Sequence, residues 1–423
     1  MRDRWLWLFT SFCGTLLLLA EAGIKVIVKA FASEKMKSLA IVFDGNIGNL
    51  KGKVNAIINR IHFLADIADY RIDVYSIQFY DSYLSCRLKH KKFVRPTSER
   101  IELDGIQVNV IWLKHHFLDL LMTSKFKKKP VFRDGQLRRI AERFSGYDAI
   151  SSHSFICSSL AQIAGEMYNI PYFCTWHGSE IHSIPSGYKY QYLRMAEILS
   201  KSYCNFFVSK ALAETAKERI TSDFRYEVSY NGVNSNFHRY EEQDRLALRK
   251  KYHVDDRKVV SYVGNLIEVK NPQLLAPIFK SVAQKFQGKV QFWVIGDGSM
   301  HSEVEKELID AGIDFKMWGN QPASSMPSLY QCVDVDILVS KNEGLPLTIP
   351  EAIACGACAV GARVGGIPEV LSSENVFEHG TDFVENVSDR VVHLLVFPQN
   401  QTLDHVFSWE NTAQIENSIY RSI

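Results

Sequence analysis

From Met36 onward the chain alternates short apolar, β-rich runs with stretches of helix length, and in its second half the same alternation starts again. That pattern is the mark of parallel strands whose crossover helices cover both sheet faces, so the class is α/β. In the first half strands are expected at 39–43 (LAIVF), 73–79 (DVYSIQF), 108–113 (VNVIWL), 149–152 (AISS), 172–176 (YFCTW) and 205–209 (NFFVS), with helices over 54–68 and 158–168. The second series runs through 259–264 (VVSYVG), 290–296 (VQFWVIG), 315–319 (FKMWG), 336–340 (DILVS) and 358–362 (CAVGA). Between the two series Asn231 to Asp256 is polar and charged, with a turn at Asn231-Gly232, which puts the hinge near residue 240.

A chain of 423 residues is too long for one ordinary core and ample for two domains of roughly 150 to 200 residues each. The expected division is an apolar extension (1–35), a first Rossmann-like doubly wound domain (36–240), a second one (241–407) and a closing segment (408–423). Residues 5–20, WLWLFTSFCGTLLLLA, lie behind Arg2 and Arg4 and are shorter than a comfortable span of about 20 residues. Because Met36 opens a natural first strand, three readings of 1–35 stand: a misplaced start, a membrane-surface anchor or a cleaved signal.

Hydrophobic residues at 46% and charged ones at 23% exclude a disordered chain and a polytopic membrane protein. A net charge of +2 removes any global reason to expect nucleic acid as a partner. Charge is concentrated locally, in Arg87, Lys89, Lys91, Lys92 and Arg95 and in Lys125, Lys127, Lys128 and Lys129. These runs read either as a solvated loop face or as contact with anionic lipid or a phosphorylated acceptor. The eight cysteines are scattered, several in apolar runs (Cys157, Cys174, Cys204, Cys332), as in a cytosolic protein with reduced thiols. Cys355 and Cys358 have no second Cys or His pair nearby, so neither zinc nor a disulfide framework is expected.

In open parallel sheets ligands bind beyond the carboxyl ends of the strands, so the chemistry is sought in the loops after the apolar runs. Asn342 to Gly356 (NEGLPLTIPEAIACG) follows DILVS and opens a helix with Pro350 near its first turn. Free amides there, at Leu345, Leu347 and Thr348, suit a diphosphate. Glu343 and Glu351 flank the loop; each carboxylate accepts two hydrogen bonds and so suits the vicinal hydroxyls of a ribose or a sugar, although either can also serve as a helix cap. Gly264 to Pro272 follows another strand and carries Lys270, which can reach a phosphate. Thr175 to His182 follows YFCTW and carries His177, which can orient a sugar hydroxyl. His153 and His182 also read as structural residues.

Together these segments resemble glycosyltransferase family 4, retaining enzymes of the GT-B fold, from residue 36 to the C-terminus. The resemblance rests on Glu343-x7-Glu351 with EAIACG, on GGIPEVL (365–371), Gly296-Asp297-Gly298, Trp318-Gly319, Asn231-Gly232-Val233 with Phe237, and Phe407-Ser408-Trp409-Glu410. It implies two Rossmann-like domains facing across a cleft, with residues 408–423 forming a helix that crosses back onto the first. By the same resemblance Glu351 holds the donor ribose, Glu343 the hydroxyls of the transferred sugar and Lys270 the diphosphate, with the amides of the Gly344, Leu345, Pro346, Leu347 loop completing the cradle. Gly264, Asn265, Trp318 and Gly319 fall on the donor side. His177 joins Lys270 and Glu343 as a catalytic residue, and Gly48 and His153 belong to the acceptor side. No metal and no cofactor is implied, the nucleotide sugar being a substrate.

Two positions depart from the family pattern. Asn265 stands where an Arg usually helps neutralise the diphosphate, and a neutral amide offers no charge-assisted, bidentate contact. The loop Asp44-Gly45-Asn46-Ile47-Gly48-Asn49 lacks the usual double glycine.

The expected activity is transfer of a sugar from a UDP- or GDP-sugar to a hydroxyl of a saccharide or lipid-linked saccharide, in surface polysaccharide or lipopolysaccharide biosynthesis. The expected location is the cytoplasm, at the cytoplasmic face of the membrane. The alternatives are a non-catalytic donor-binding or assembly subunit, which Asn265 motivates, and a GT-B sugar-nucleotide epimerase. A nicotinamide oxidoreductase requires G-x-G-x-x-G, and here His301 stands in place of the third glycine after Gly296 and Gly298.

Overall fold

The strands divide into two sheets. The computed structural model describes residues 36–45, 52–88, 92, 96–183 and 189–423. Gly48, the rest of its loop from Asn46, and residues 1–35 lie outside the described residues. The first sheet is built from β1 (Ser38–Asp44), β2 (Arg71–Asp81), β3 (Arg100–Leu103), β4 (Ile106–His115), β5 (Ala149–His153), β6 (Tyr172–Trp176), β7 (Cys204–Phe207) and β8 (Tyr226–Val228). Their order is β3-β4-β2-β1-β5-β6-β7-β8, parallel except for the β3–β4 pair. The second sheet, all parallel, orders β9 (Lys258–Val263), β10 (Val290–Ile295), β11 (Phe315–Gly319), β12 (Val335–Leu338), β13 (Cys358–Ala362) and β14 (Val376–Phe377) as β11-β10-β9-β12-β13-β14.

The central strands are continuous apolar runs because helices bury both of their faces. On β6 the side chains alternate: Tyr172, Cys174 and Trp176 enter one core layer with Leu160 and Ile163, while Phe173 enters the opposite layer with Phe43, Ile57 and Ile61. In the second sheet Tyr262 and Val294 face one layer, and Val263, Trp293 and Ile295 the other. In register, Ile41 of β1 pairs with Val74 on β2 and Ser151 on β5. The strand order reverses direction beside β1 and beside β9, and in such sheets a crevice opens at each reversal beyond the carboxyl ends.

Two of the expected strands end early for a local reason. The one reaching Ser209 stops at Phe207, because the Ser209 hydroxyl caps the helix Lys210–Arg219 by accepting from the Leu212 amide at 3.2 Å. The one reaching Ser340 stops at Leu338, which frees the Ser340 hydroxyl for Glu343.

The last helix, Trp409–Tyr420, packs against Lys53–Ile67 of the first domain. Tyr420 pairs its hydroxyl with Ser151 Oγ at 2.8 Å, and Tyr70 donates to Asn417 at 2.8 Å. Between the two helices lies a buried ion pair, Arg60 with Glu416; the same guanidinium donates to the Ser229 carbonyl at 2.6 Å and to Asn231 at 3.1 Å. Gly232 lies so close to Ser408 and Trp409 that a Cβ there would run into their backbone. Among the described residues no helix is long and apolar enough to cross a membrane.

Candidate active site in the interdomain cleft

A cleft of about 640 Å³ lies between the two sheets and is lined by loops of both domains. On the second-domain side, β9 feeds a short turn in which Asn271 adopts the left-handed conformation (φ 57°), and this turn carries Lys270. Lys270 Nζ donates to Glu343 Oε1 at 2.5 Å, and Ser340 Oγ donates to the same oxygen at 2.6 Å. Glu343 is buried, and among the described residues its Oε2 accepts no hydrogen bond. The adjacency of β9 and β12 brings this pair together, since the loops after neighbouring parallel strands emerge side by side.

The Glu343–Thr348 loop is held from both domains. The Gly344 carbonyl accepts from Ser209 Oγ at 2.9 Å and from the Gly366 amide at 2.9 Å. Across the planar trans peptide the Leu345 N–H therefore points away from both donors. Gly344 itself packs on the His177 carbonyl and on Gly178, leaving no room for a Cβ. Glu369 crosses the interface in the other direction: its carboxylate accepts from the amides of Lys210 (3.0 Å) and Ala211 (2.8 Å) and from the Tyr230 hydroxyl (2.7 Å). It thereby satisfies free amides at the start of the helix Lys210–Arg219.

Glu351 lines the cleft on the helix Thr348–Ala354. Burial, and secondarily the nearby Asp336 carboxylate, pushes its pKa up to about 8. Asp336 is likewise raised by burial to about 8, against the opposing effect of Ser261, whose hydroxyl donates to it at 2.5 Å. Near neutral pH a carboxyl of this kind keeps its proton and can both donate to and accept from a hydroxyl.

On the first-domain side His177, at the end of β6, meets His153, at the end of β5. Nδ1 of His153 lies 3.1 Å from Nε2 of His177, and the rings stack at 5.4 Å. Burial holds both imidazoles well below the ordinary value; His153 depresses His177 further, and the Arg60 and Lys53 charges act on both in the same direction. The rings are therefore neutral, one nitrogen donating and the other accepting. His153 stands behind His177 rather than in the cleft wall. His182 sits against the Glu343 backbone; burial lowers its pKa and the Glu343 carbonyl opposes that.

Gly264, Asn265, Lys270, Glu343 to Leu347 and Glu351 all line the cleft, as does His177. Trp318 and Gly319, expected on the donor side, do not. The half-buried Trp318 indole packs on Trp293 (5.0 Å) and Tyr252 (5.4 Å) at the margin of the core with Lys316 over its ring, and the Gly319 carbonyl accepts from the Gly296 amide at 2.8 Å. The next two residues, Asn320 and Gln321, reach the cleft instead. Thr348, whose amide was expected in the cradle, lines the cleft too, whereas Lys53, Asn59 and Asn234 were passed over as wall residues. Among the described residues the lysines and arginines lining the cleft are Lys53 and Lys270. Each is already paired, Lys53 with Asp44 at 2.7 Å and more distantly with Glu180 at 3.8 Å.

Residues 98–237 match a family model described as Glycosyltransferase Family 4, and residues 257–396 match one described as Glycosyl transferases group 1, together about two thirds of the chain. The chain is 27% identical over 237 residues to the N-acetyl-alpha-D-glucosaminyl L-malate synthase of Bacillus anthracis, covering 55% of this chain and 59% of that protein, so it spans less than two thirds of that relative's length. The solved sucrose-phosphate synthase of Thermosynechococcus elongatus superposes with a TM-score of 0.70 at 15% identity, over 91% of this chain and 98% of the other. Anabaena HepE in complex with UDP and glucose superposes at 0.62 with 18% identity, over 90% and 95%. These likenesses give the fold, GT-B. With one family match on each sheet domain, and with the carboxyl-end loops of both meeting at one cleft, the chain belongs to glycosyltransferase family 4.

Proposed function

We propose that the protein transfers a sugar from a nucleoside-diphosphate sugar, UDP- or GDP-linked, to a hydroxyl of a saccharide or lipid-linked saccharide, with retention of anomeric configuration, in surface polysaccharide or lipopolysaccharide assembly at the cytoplasmic face of the membrane. The observation that carries this reading is the Lys270–Glu343 pair, set in one cleft with Glu351 and His177. In the reaction the bond from the anomeric carbon to the β-phosphate oxygen breaks and a bond to the acceptor oxygen forms on the same face. The acceptor proton leaves with the departing phosphate. Lys270 and the loop amides stabilise the charge that develops on the diphosphate. Glu351 holds the ribose, Glu343 orients the sugar, and His177 as a neutral imidazole hydrogen-bonds a sugar hydroxyl. Walls from both domains keep water from the anomeric carbon.

UDP is the first nucleotide to try, because HepE is described with UDP and glucose. A ligand that binds only the folded state raises the melting temperature, so the protein is melted against UDP-, GDP-, ADP- and TDP-sugars with Glu351→Ala alongside. A shift with one nucleotide class that is lost in Glu351→Ala is the expected result. No shift with any donor would sink the reading.

Asn265 supports a second reading, a donor-binding or assembly subunit without activity of its own, since both cleft lysines are already paired. Under that reading Glu343→Gln leaves biological activity unchanged; under the first it abolishes acceptor-dependent release of nucleoside diphosphate.

A further inference from the structure

Between Lys114 and Arg139 the chain has eight Lys or Arg and two Asp, a net +6, while all 423 residues sum to only +2. The structure shows what this segment builds. After β4 the chain runs out through Phe117–Leu120 and the turn Leu121–Lys125, then returns to Arg133. The base of the excursion is closed by the buried Asp119, whose Oδ1 accepts from the amides of Val131 at 2.7 Å and Phe132 at 2.8 Å. Held in this way, the excursion exposes Leu118 (47%), Phe126 (52%), Val131 (56%) and Phe132 (41%). Beside it the helix Tyr83–Leu88, tied to the end of β4 by the Ser82 amide donating to the His115 carbonyl at 3.0 Å, exposes Leu84.

Interleaved with these apolar side chains are Lys125, Lys127 and Lys128, none of which forms an ion pair among the described residues. Lys129 differs, being paired with Asp134 at 2.8 Å. Isolated exposed apolar residues need no explanation, but several on one pinned excursion around unpaired lysines make a patch. The sheet places the base of this patch at the same carboxyl end as the first-domain wall of the cleft, although no patch residue lines the cleft itself. That base is the carboxyl end of β4, two strand spacings (about 10 Å) from β1, whose last residue Asp44 pairs with the cleft residue Lys53.

We infer that this excursion docks the first domain on an anionic lipid surface and so presents the acceptor side of the cleft to a lipid-linked saccharide. The inference rests on the transferase reading for its purpose, and it narrows the acceptor to one anchored in that surface. Charge complementarity identifies the occupant: lysines near an anionic bilayer are attracted to its headgroups, and the apolar side chains between them enter the headgroup boundary. A soluble polyanionic saccharide would use the lysines and leave Leu118, Phe126 and Val131 without a role.

The test is cosedimentation of the full chain with vesicles of phosphatidylcholine, and of phosphatidylcholine containing one third phosphatidylglycerol. The variants are Lys125→Glu/Lys127→Glu/Lys128→Glu and, separately, Phe126→Ser/Val131→Ser. Residues 1–35 are common to every protein compared, so differences between variants report the patch. The charge-reversed protein is expected to bind phosphatidylglycerol vesicles at least about tenfold more weakly, with the parent's binding falling as salt is raised. The serine variant is expected to lose binding to the same vesicles while keeping its charge. Unchanged vesicle binding in both variants overturns the inference. So does binding of the parent to heparin, lost on charge reversal, with vesicle binding unaffected; that result assigns the patch to a soluble polyanion. The melting shift with a nucleotide sugar is read in the same proteins. It survives in both variants if only the docking idea fails, and is absent from the parent if the transferase reading fails.

Discussion

Lys270 donates to Glu343 at 2.5 Å across a sequence separation of 73 residues, joining the loops that follow β9 and β12. A buried carboxylate and an ammonium held this way act as a unit, and in the proposed reaction the incoming diphosphate competes with Glu343 for the lysine.

Lys270→Met and Glu343→Gln are each expected to lower kcat/KM by about 10²- to 10³-fold, the effect of removing one preorganised charged group. Because the two side chains are bonded to each other, the double variant should lose much less than the product of the single losses. Acceptor-dependent release of nucleoside diphosphate is the measurement. Multiplicative losses would mean that the pair does not work as a unit.

The raised carboxyls Glu351 and Asp336 make stability fall with pH. Their ordinary values are 4.5 and 3.8, and in the folded protein both lie at about 8. Between these limits the unfolded chain has released protons that the folded one still holds, so the folded state loses ground as pH rises through about 8. Melting temperature should therefore decline between about pH 5 and about pH 9. Asp336→Asn should flatten that decline, removing one titrating group and lowering the pKa of Glu351. An equal slope in parent and variant would refute the assignment.

The histidine pair behaves in the opposite sense. Its folded pKa values are depressed, so its contribution to stability is complete above the ordinary value of about 6.5 and is lost as pH falls below it, where the unfolded imidazoles take up protons first. Ring signals assigned to His153 and His177 should not titrate between about pH 7.5 and about pH 5.5. His153→Ala should raise the pKa of His177 by removing its nearest ring neighbour. A midpoint near 6.5 for either ring in the parent protein would contradict this.

How much was legible before the fold was known follows from burial. LAIVF, YFCTW and CAVGA read as strands because each is covered on both faces, and they appear as β1, β6 and β13. RIEL, YEV and VF, the strands β3, β8 and β14, went unread. They are edge strands of two to four residues, with too few covered positions to print an apolar run. At the site, Lys270 and Glu343 could be named as loop residues after strands, but their contact depends on β9 lying beside β12, which no local pattern encodes. Trp318 was placed on the donor side by the resemblance alone, and no local pattern foretold that its half-buried ring would pack on Trp293. Asn320 and Gln321 carry no signature at all, and the coupling of Asp336 to Glu351 needs both side chains buried together before it exists.

Glu416 neutralises Arg60 in a buried setting. Glu416→Ala is expected to destabilise the protein by about 3–5 kcal/mol, because the guanidinium is left buried without its carboxylate. Arg60→Met/Glu416→Met should recover most of that loss, since an apolar pair of similar volume removes both desolvated charges. Denaturant unfolding followed by the summed fluorescence of the seven tryptophans, among them Trp409, over whose ring Arg60 lies at 5.8 Å, reads both. A double variant as weak as the single one would assign the loss to packing instead.

The closing helix also sets the order in which the molecule can be finished. Trp409–Tyr420 supplies the outer cover of Lys53–Ile67 and the only carboxylate that pairs with Arg60 among the described residues. On the ribosome, strands β9 to β14 emerge in one unbroken stretch, while the domain made first still waits for residues made after them. A nascent chain arrested before Trp409 would hold a complete second sheet and an unfinished first one, most open to proteases around the uncovered helix Lys53–Ile67. The first half of this protein thus becomes whole only after the second half has been made and Trp409–Tyr420 has followed it.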